Sequence, residues 1–182
     1  MKWNMRVEDL PEQGGAIRIG DTVCLSGTVY TARDAAHKKL RELIEAGEPL
    51  PFDISGAAIY YAGPTPAKPG AVCGAFGPTT SGRMDPYAPM LLDMGLAAMI
   101  GKGERSAAVV EAVRRNRALY FCAIGGAGAL AARCIRSLEV IAFPELGCES
   151  VKRLEFENFP LICAIDSLGG DIFARARSAA GE

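Results

Sequence analysis

Clustered metal-binding side chains are lacking in this 182-residue sequence, because His37 is its one histidine and no two of its six cysteines form a CxxC pair. Zinc and iron–sulfur sites normally draw on clustered cysteine or histidine. We therefore expect no metal site held by this chain alone. Free cysteine packs as a small hydrophobe, and a disulfide framework is unusual in an intracellular chain of this size. The cysteines are accordingly predicted to be buried free thiols: Cys24, Cys73, Cys122, Cys134, Cys148 and Cys163.

An excess of charge of one sign is also lacking. The formal net charge is −1, which argues against a nucleic-acid partner or an anionic membrane surface. The apolar runs are short and broken, so no membrane-spanning helix is predicted. The first fifteen residues, MKWNMRVEDLPEQGG, lack the apolar region of a signal peptide. We expect a cytoplasmic protein with a single domain over residues 1–182.

What the sequence does contain is an alternation of strand-like and helix-like segments. IRIGDTVCLSGTVYT is predicted to form a strand pair that turns at Gly20 and Asp21. TARDAAHKKLRELIEAG is predicted to be a helix, with Thr31 as N-cap and Gly47 just after its end. Helices are also predicted near Pro86, after Ser106 and at AGALAARCI. Further strands are predicted at GAAIYYAG, AVCGAFGP, LAAMIG, ALYFCAI, LEVIAFPE, VKRLEFENF and PLICAID. This order favours an α/β domain with a mixed sheet.

The segment GPTTSGRMDPY, from Gly77 to Tyr87, combines glycines, hydroxyls and an arginine between two apolar segments. As a phosphate-binding loop it fails, because Arg83 replaces the lysine and Met84 replaces the magnesium-binding hydroxyl. A glycine-bounded loop between a strand and a helix also suits a carboxylate, and an arginine adds a planar fork that matches one. The alternative is a hydroxyl-rich turn in which Arg83 pairs with Asp85.

Three other segments carry candidate functional side chains. Arg33 at a helix start could bind an anion, with His37 four residues later on the same face. Solvated surface side chains are the simpler explanation of both residues. Lys102 follows an apolar strand, where ligands collect in α/β sheets, but it could also be a solvated loop lysine. GGAGALA, with Gly126, Gly128 and Ala131, nearly matches a dinucleotide fingerprint, and Glu145 has the spacing of a ribose-binding acid. A tight strand-to-helix turn explains those residues as well.

Together these motifs resemble one family, the β subunit or C-terminal domain of class I iron–sulfur hydro-lyases, which comprises class I fumarase and L(+)-tartrate dehydratase. The resemblance covers nearly the whole chain and is carried above all by TARDAAH, GPTTSGRMD and GKG. It implies a three-layer β/β/α swivelling domain. It also implies a partner α subunit that holds a [4Fe–4S] cluster on three cysteines, with an open fourth iron that binds substrate. Because the sequence begins with Met1, we expect a separately encoded β subunit in a hetero-oligomer.

The resemblance also implies roles for individual residues. Thr79 matches the hydroxyl that takes the C3 proton of the substrate, and Arg33 and Arg83 match arginines that bind its carboxylates. Lys102 matches a lysine near the substrate, and His37 lies where an acid–base group has been proposed. The sequence departs from the family pattern at Cys148 and Lys152, which affects local packing or the subunit interface.

The expected reaction is the reversible hydration of fumarate to malate, a step of the tricarboxylic acid cycle, with L(+)-tartrate dehydration as the alternative. An arginine on each carboxylate would offset the charge that builds up when the C3 proton leaves. Loss of hydroxide needs a Lewis acid, which this chain lacks. Thr79 is a poor base by itself, so a carboxylate of the partner is expected to activate it. Two functions of other classes stay open: a non-catalytic anion-binding module and a nucleotide-binding enzyme.

Overall fold

The computed structural model of the chain describes residues 1–123 and 128–181. Seven strands form one mixed sheet. They are β1 (Lys2–Arg6), β2 (Thr22–Thr31), β3 (Ala58–Tyr60), β4 (Ala98–Gly101), β5 (Leu119–Ala123), β6 (Ile135–Ala142) and β7 (Val151–Ile165). The helices are α1 (Leu10–Gln13), α2 (Asp34–Ala46), α3 (Ala88–Asp93), α4 (Ala107–Asn116), α5 (Gly128–Cys134) and α6 (Ile172–Ala180). Short 3-10 segments lie at Val7–Asp9, Gly14–Ala16, Ser81–Met84 and Pro144–Glu149. The predicted α/β class with a mixed sheet is confirmed.

The sheet closes on itself. Strands β1 to β5 run parallel in the order β1-β2-β3-β4-β5, and the long β7 runs antiparallel to β5, β6 and β2. The pairing of β7 with β2 completes a ring of five strands, β2-β3-β4-β5-β7. Because β2 to β5 are parallel, their carboxyl ends lie at one end of this ring. Loops that leave those ends are the usual place for ligands in parallel sheets.

Alternate residues of the parallel strands face two separate apolar clusters, as the twofold repeat of a strand requires. Tyr60 and Phe121 belong to the cluster that β7 and β1 also line. Tyr61 and Tyr120, one residue away in each segment, belong to the cluster that α2, α3 and α4 cover. The faces of α2 and α4 that meet this second cluster carry Leu40 and Val109, both fully buried. The helices therefore fix the segments that leave the carboxyl ends of β2 and β4.

Several predicted elements are confirmed. Helix α2 ends at Gly47, which adopts a left-handed conformation with φ of 70°. Helix α4 begins after Ser106, whose hydroxyl accepts a hydrogen bond from the Val109 N–H at 3.4 Å. None of the helices in the described ranges combines the length and the apolarity needed to cross a bilayer.

Other predictions were wrong. The strand pair predicted at IRIGDTVCLSGTVYT is one strand, β2, preceded by a turn. Asp21 ends this turn, and its carboxylate accepts a hydrogen bond from the Arg18 N–H at 3.0 Å. AVCGAFGP is a loop: its Gly74 lies so close to Thr65 that an added Cβ would be 2.3 Å from the threonine hydroxyl. Thr31 is not an N-cap. It lies in β2 and bonds the Ser150 carbonyl, and Arg33 stands at the N-cap position.

Candidate active site

The predicted site residues lie around the carboxyl ends of β2, β3 and β4. Arg33 and His37 come from the start of α2, and Lys102 directly follows β4. Thr79 and Arg83 belong to the segment between β3 and α3. The Thr79 N–H donates to the Tyr61 carbonyl, just beyond β3, at 2.8 Å. We call these five residues the carboxyl-end site. The structure thus brings together segments that are separated by up to about seventy positions in the sequence.

His37 is buried directly behind Arg33. Its Nδ1 lies 2.9 Å from the Arg33 carbonyl oxygen, which can only accept, so Nδ1 carries the proton. Its Nε2 is buried and has no hydrogen-bond partner among the described residues. Burial, assisted by the nearby Arg105 cation, lowers the pKa of His37 to about 4. The imidazole is therefore neutral at physiological pH, and it is packed edge-on against Tyr61 rather than exposed.

The loop that carries Thr79 is fixed to the segment that carries Lys102. The Ser81 N–H donates to the Lys102 carbonyl at 2.9 Å, and the Lys102 N–H donates to Ser81 Oγ at 2.9 Å. Tyr120 Oη lies 2.9 Å from Ser81 Oγ and 2.8 Å from the Gly103 carbonyl oxygen. Because a carbonyl only accepts, Tyr120 donates to Gly103 and accepts from Ser81.

Ser81 can occupy this position only because Gly101 has no side chain. A Cβ there would lie 1.9 Å from Ser81 Oγ and 3.0 Å from Tyr61 Cδ2. Real Cβ atoms do not make contacts as short as 1.9 Å, so Gly101 is required for the loop to approach β4 in this way. The glycine thus has a direct role in bringing Thr79 near Lys102.

Arg83 is paired with a carboxylate at the start of α2. Its Nε donates to Asp34 Oδ1 at 2.9 Å, and its side chain is half exposed. The pairing of Arg83 with Asp85, expected for a plain hydroxyl-rich turn, is therefore not present. Asp34 adjoins Arg33, so this ion pair brings the loop next to the start of α2.

The partner of Asp85 is Arg105, a residue that the sequence did not single out. Arg105 Nε donates to Asp85 Oδ1 at 2.6 Å, and the Ser106 N–H donates to Asp85 Oδ2 at 2.6 Å. The Arg105 side chain is fully buried, with its guanidinium carbon 5.3 Å from the Tyr61 ring centre and 4.9 Å from that of Tyr120. The one signal in the sequence was its place in the same loop as Lys102.

Arg33 also meets a carboxylate. Its Nη2 lies 3.3 Å from Glu149 Oε1, and the other Glu149 oxygen accepts a hydrogen bond from the Ala35 N–H at 3.1 Å. Glu149 was not predicted. It satisfies a free N–H of the first turn of α2, where negative charge is favoured by the helix dipole. The same position next to Arg33 would suit a carboxylate of a ligand.

The two departures from the family pattern lie beside Glu149. Lys152 is buried, with Nζ 2.8 Å from Ser150 Oγ and between 3.0 and 3.2 Å from three carbonyl oxygens of the preceding turn. Burial lowers the pKa of Lys152. The ammonium holds the turn of residues 147–150, and so helps to place Glu149. Cys148 is exposed and Cys24 and Cys122 are half-buried, so the expectation of buried thiols is confirmed only for the other three cysteines.

The described residues do not fit a metal cluster held by this chain. All six thiols are free, and no three cysteine, histidine or acidic side chains gather in residues 1–123 and 128–181 in a way that could hold an ion. The nucleotide fingerprint lies partly outside the described residues, which omit Gly126. Glu145, its proposed ribose ligand, forms an ion pair with Lys39 at 2.6 Å.

A cavity lies away from the carboxyl-end site. It has a volume of about 810 Å³ and is lined by the residues that directly precede the amino ends of β3, β4 and β5, together with residues between β1 and β2 and two residues of β2. Its charged lining comprises Glu8, Glu12, Asp53 and Arg117. We call it the amino-end cavity. Three carboxylates against one arginine make this cavity unsuited to an anionic ligand.

Comparison with known proteins supports the assignment made from the motifs. The family model described as Fumarase C-terminus matches residues 2–176. The chain is 40% identical over 172 residues to the anaerobic class I fumarate hydratase of Escherichia coli, covering 93% of this chain and 31% of that protein. It is 39% identical over 163 residues to a putative L(+)-tartrate dehydratase subunit beta of Methanocaldococcus jannaschii, covering 86% of this chain and 84% of the relative.

The L(+)-tartrate dehydratase subunit beta of E. coli is 35% identical over 175 residues, with 93% of this chain and 84% of that subunit covered. The chain therefore spans about three tenths of the length of the fumarate hydratases but most of each tartrate dehydratase subunit. The match to the family model extends over almost every element described above, including all five residues of the carboxyl-end site. The chain belongs to the Fumarase C-terminus family.

Proposed function

We propose that this chain is the β subunit of a [4Fe–4S]-dependent hydro-lyase that interconverts a 2-hydroxy dicarboxylate and its unsaturated product. Reversible hydration of fumarate to malate is the proposed reaction, and L(+)-tartrate dehydration is the alternative. One observation carries this proposal: the loop that carries Thr79 and Arg83 is bonded to Lys102 through Ser81 and, through Arg83, to Asp34 next to Arg33. Two arginines and a lysine gathered with a hydroxyl at one end of the sheet suit a dianionic substrate that loses a proton.

In this proposal the two arginines bind the two carboxylates of the substrate. Their present partners, Glu149 and Asp34, are themselves carboxylates, which supports the proposed ligand chemistry. Each charge-assisted hydrogen bond of this kind contributes about 1.5–3 kcal/mol. Lys102 adds a further positive charge near the substrate. Together the three cations offset the negative charge that develops when the proton next to a carboxylate is removed.

Thr79 is proposed to take that proton from C3 of the hydroxy acid. The C3–H bond breaks as Thr79 Oγ1 takes the proton, and a carboxylate of the partner accepts the proton that the hydroxyl gives up. The electron pair of the C3–H bond forms the double bond to C2, and the C2 hydroxyl leaves as hydroxide, for which a Lewis acid of the partner would be the acceptor. The acid–base role predicted for His37 stays a prediction. Its burial and its hydrogen bond to the Arg33 carbonyl favour a role in holding Arg33 over direct contact with substrate.

The cluster and the second half of the site are proposed to belong to a partner α subunit. The dispersed thiols support this, because no group of three cysteine, histidine or acidic side chains that could hold an ion occurs in the part of the chain that the structure describes. We further propose a hetero-oligomer in the cytoplasm and a place in the tricarboxylic acid cycle. The two apolar clusters on opposite faces of the sheet support a three-layer β/β/α swivelling domain.

The test is to assay the chain alone and then together with a cluster-bearing α subunit. We expect no turnover by the chain alone. The complex is expected to hydrate fumarate with a kcat/KM at least tenfold higher than for L(+)-tartrate, measured from the loss of each substrate. Turnover by the isolated chain without iron would contradict the proposal. Failure of a complex with an intact cluster to act on either substrate would contradict it as well.

A further inference from the structure

The buried ion pair between Asp85 and Arg105 has no part in the proposed chemistry. The Arg105 side chain is fully buried and that of Asp85 is 15% exposed. Burying a charged pair is costly, and a hydrophobic pair of similar volume is often at least as stable. General stability is therefore a weak reason for placing this pair beneath the loop.

The pair lies at one end of the segment that carries Arg83. The other end is Ser81, which bonds both backbone groups of Lys102 and lies against Tyr120. At Asp85, both carboxylate oxygens bond the segment that follows Lys102, one to Arg105 and one to the Ser106 N–H. The five residues 81–85 are thus attached at both ends to the segment 102–106.

The surroundings of Arg105 hold its guanidinium in one plane. The rings of Tyr61 and Tyr120 lie at 5.3 and 4.9 Å, and Nη1 contacts Met99 Sδ at 3.4 Å. Arginine suits such a site because its planar fork can stack on aromatic rings while it donates to a carboxylate. Tyr61 is also the residue whose carbonyl accepts the Thr79 N–H. Arg105 is therefore packed against the same residue that positions Thr79.

We infer that Arg105 is a positioning residue for the reaction, which acts through Asp85 to hold Thr79, Arg83 and Lys102 in register. The inference rests on the proposed function for its kinetic consequence, but its structural part stands alone. Small displacements of reacting groups can lower the rate a hundredfold. Loss of the pair is therefore expected to lower kcat per folded complex, beyond any effect on stability.

The chain offers a matched control in a second arginine–aspartate pair. Arg115 and Asp93 meet at 2.6 Å, as Arg105 and Asp85 do, but both side chains are more than 40% exposed. The same substitutions can therefore be made in both pairs: Asp85→Asn with Asp93→Asn, and Arg105→Lys with Arg115→Lys. The lysine variant keeps the charge and removes the planar fork, and it serves if Asp85→Asn fails to fold.

Two measurements test the inference. Hydrogen exchange of the full chain is expected to be at least tenfold faster at residues 77–87 in the buried-pair variants and unchanged there in the control variants. In the complex with the α subunit, the buried-pair variants are expected to lose at least tenfold in kcat, with KM changed less than threefold, and the controls to keep their kcat.

Equal effects in the two pairs would overturn the inference, and so would a lower melting temperature with unchanged kcat and unchanged loop exchange. If the unsubstituted complex turns over neither dicarboxylate, the proposed function fails. In that case the exchange measurement alone decides whether Arg105 holds the loop: faster exchange confined to residues 77–87 supports it, and uniform or unchanged exchange overturns it.

Discussion

The two ends of the parallel strands differ in charge and construction. The amino-end cavity has a volume of about 810 Å³, and its lining carries three carboxylates and one arginine. The carboxyl-end site holds two arginines and a lysine, beside the carboxylates of Glu149 and Asp34, on segments that are bonded to each other. The sign of the charge and the attachment of the loops therefore mark the carboxyl end as the one suited to an anionic ligand.

The strongest way to break this comparison is to remove the hydroxyl of Thr79. Thr79→Ala in the complex with the α subunit is expected to lower kcat roughly 10²–10⁴-fold, the usual contribution of a proton-transfer group. Steady-state kinetics on fumarate measures this. The matched control is Thr80→Ala, because Thr80 is exposed and pairs with Lys102 through its backbone. Equal losses in both variants would remove Thr79 from its role.

The next largest effect concerns the close approach of the loop to β4. Gly101→Ala places a Cβ where Ser81 Oγ now lies, so it is expected to lower the free energy of unfolding by roughly 1–3 kcal/mol, as overpacking does. It should also lower activity, because Ser81 holds the loop near Lys102. Denaturant unfolding measures the first effect. Gly15→Ala, beside the amino-end cavity and with its nearest neighbour 3.7 Å away, is the control and should be tolerated.

Replacing arginine by lysine at each end of the strands tests whether the shape of the guanidinium group, and not only its charge, matters at the carboxyl-end site. Arg83→Lys keeps the charge but loses the fork that matches a carboxylate, so kcat/KM should fall by about 10–100-fold. The same change at Arg117, in the lining of the amino-end cavity, should leave kcat/KM within twofold. A fall of similar size at both positions would mean that net charge, and not carboxylate binding, governs the reaction.

The low pKa of His37, in the carboxyl-end site, predicts that the free energy of unfolding depends on pH. Its pKa is about 4 in the folded protein and near 6.5 when unfolded, so the unfolded state binds the proton more readily. Stability is therefore unaffected by His37 above pH 6.5 and falls as the pH drops from 6.5 to 4, by about 1 kcal/mol at pH 5.5. His37→Asn, whose amide can replace the Nδ1 donor, should remove this part of the dependence in denaturant titrations at pH 5.5 and 8. An unchanged pH dependence in the variant would contradict the assignment.

The smallest expected effect lies at the amino-end cavity. Arg117 ends α4 in a left-handed conformation with φ of 54°, which glycine adopts without steric cost. Arg117→Gly is therefore expected to raise the free energy of unfolding by less than about 1 kcal/mol and to leave turnover unchanged. Thermal unfolding and the fumarate assay measure the two expectations. A loss of turnover would show that the two ends of the strands are coupled.

Local patterns in the sequence predicted the elements that depend on local forces. The cap at Ser106, the stop at Gly47 and the mixed sheet follow from residue types and spacing. The site positions at the ends of strands were also predictable, because Arg33 and Lys102 directly follow apolar segments. The family resemblance was needed to single out Thr79 among the hydroxyls of its loop.

The tertiary partners were not predictable from those patterns. Asp85 and Arg105 lie 20 positions apart, and Arg33 and Glu149 lie 116 apart, so their pairing depends on how the strands are ordered in the sheet. The loop at AVCGAFGP was mistaken for a strand for the same reason. Its apolar residues do pack in the core, but Gly74 lies against Thr65, which leaves no room for a neighbouring strand to pair with this segment.

The closed ring of five strands has a consequence for self-association. Unpaired strand edges recruit other chains, and the ring leaves an open edge only on β1 and β6 within the described residues. Both of these strands carry charged side chains, with Lys2 and Arg6 on one and Arg136 and Glu139 on the other. Charge at an edge discourages the addition of a further strand. The fold thus provides its own protection against aggregation by strand addition.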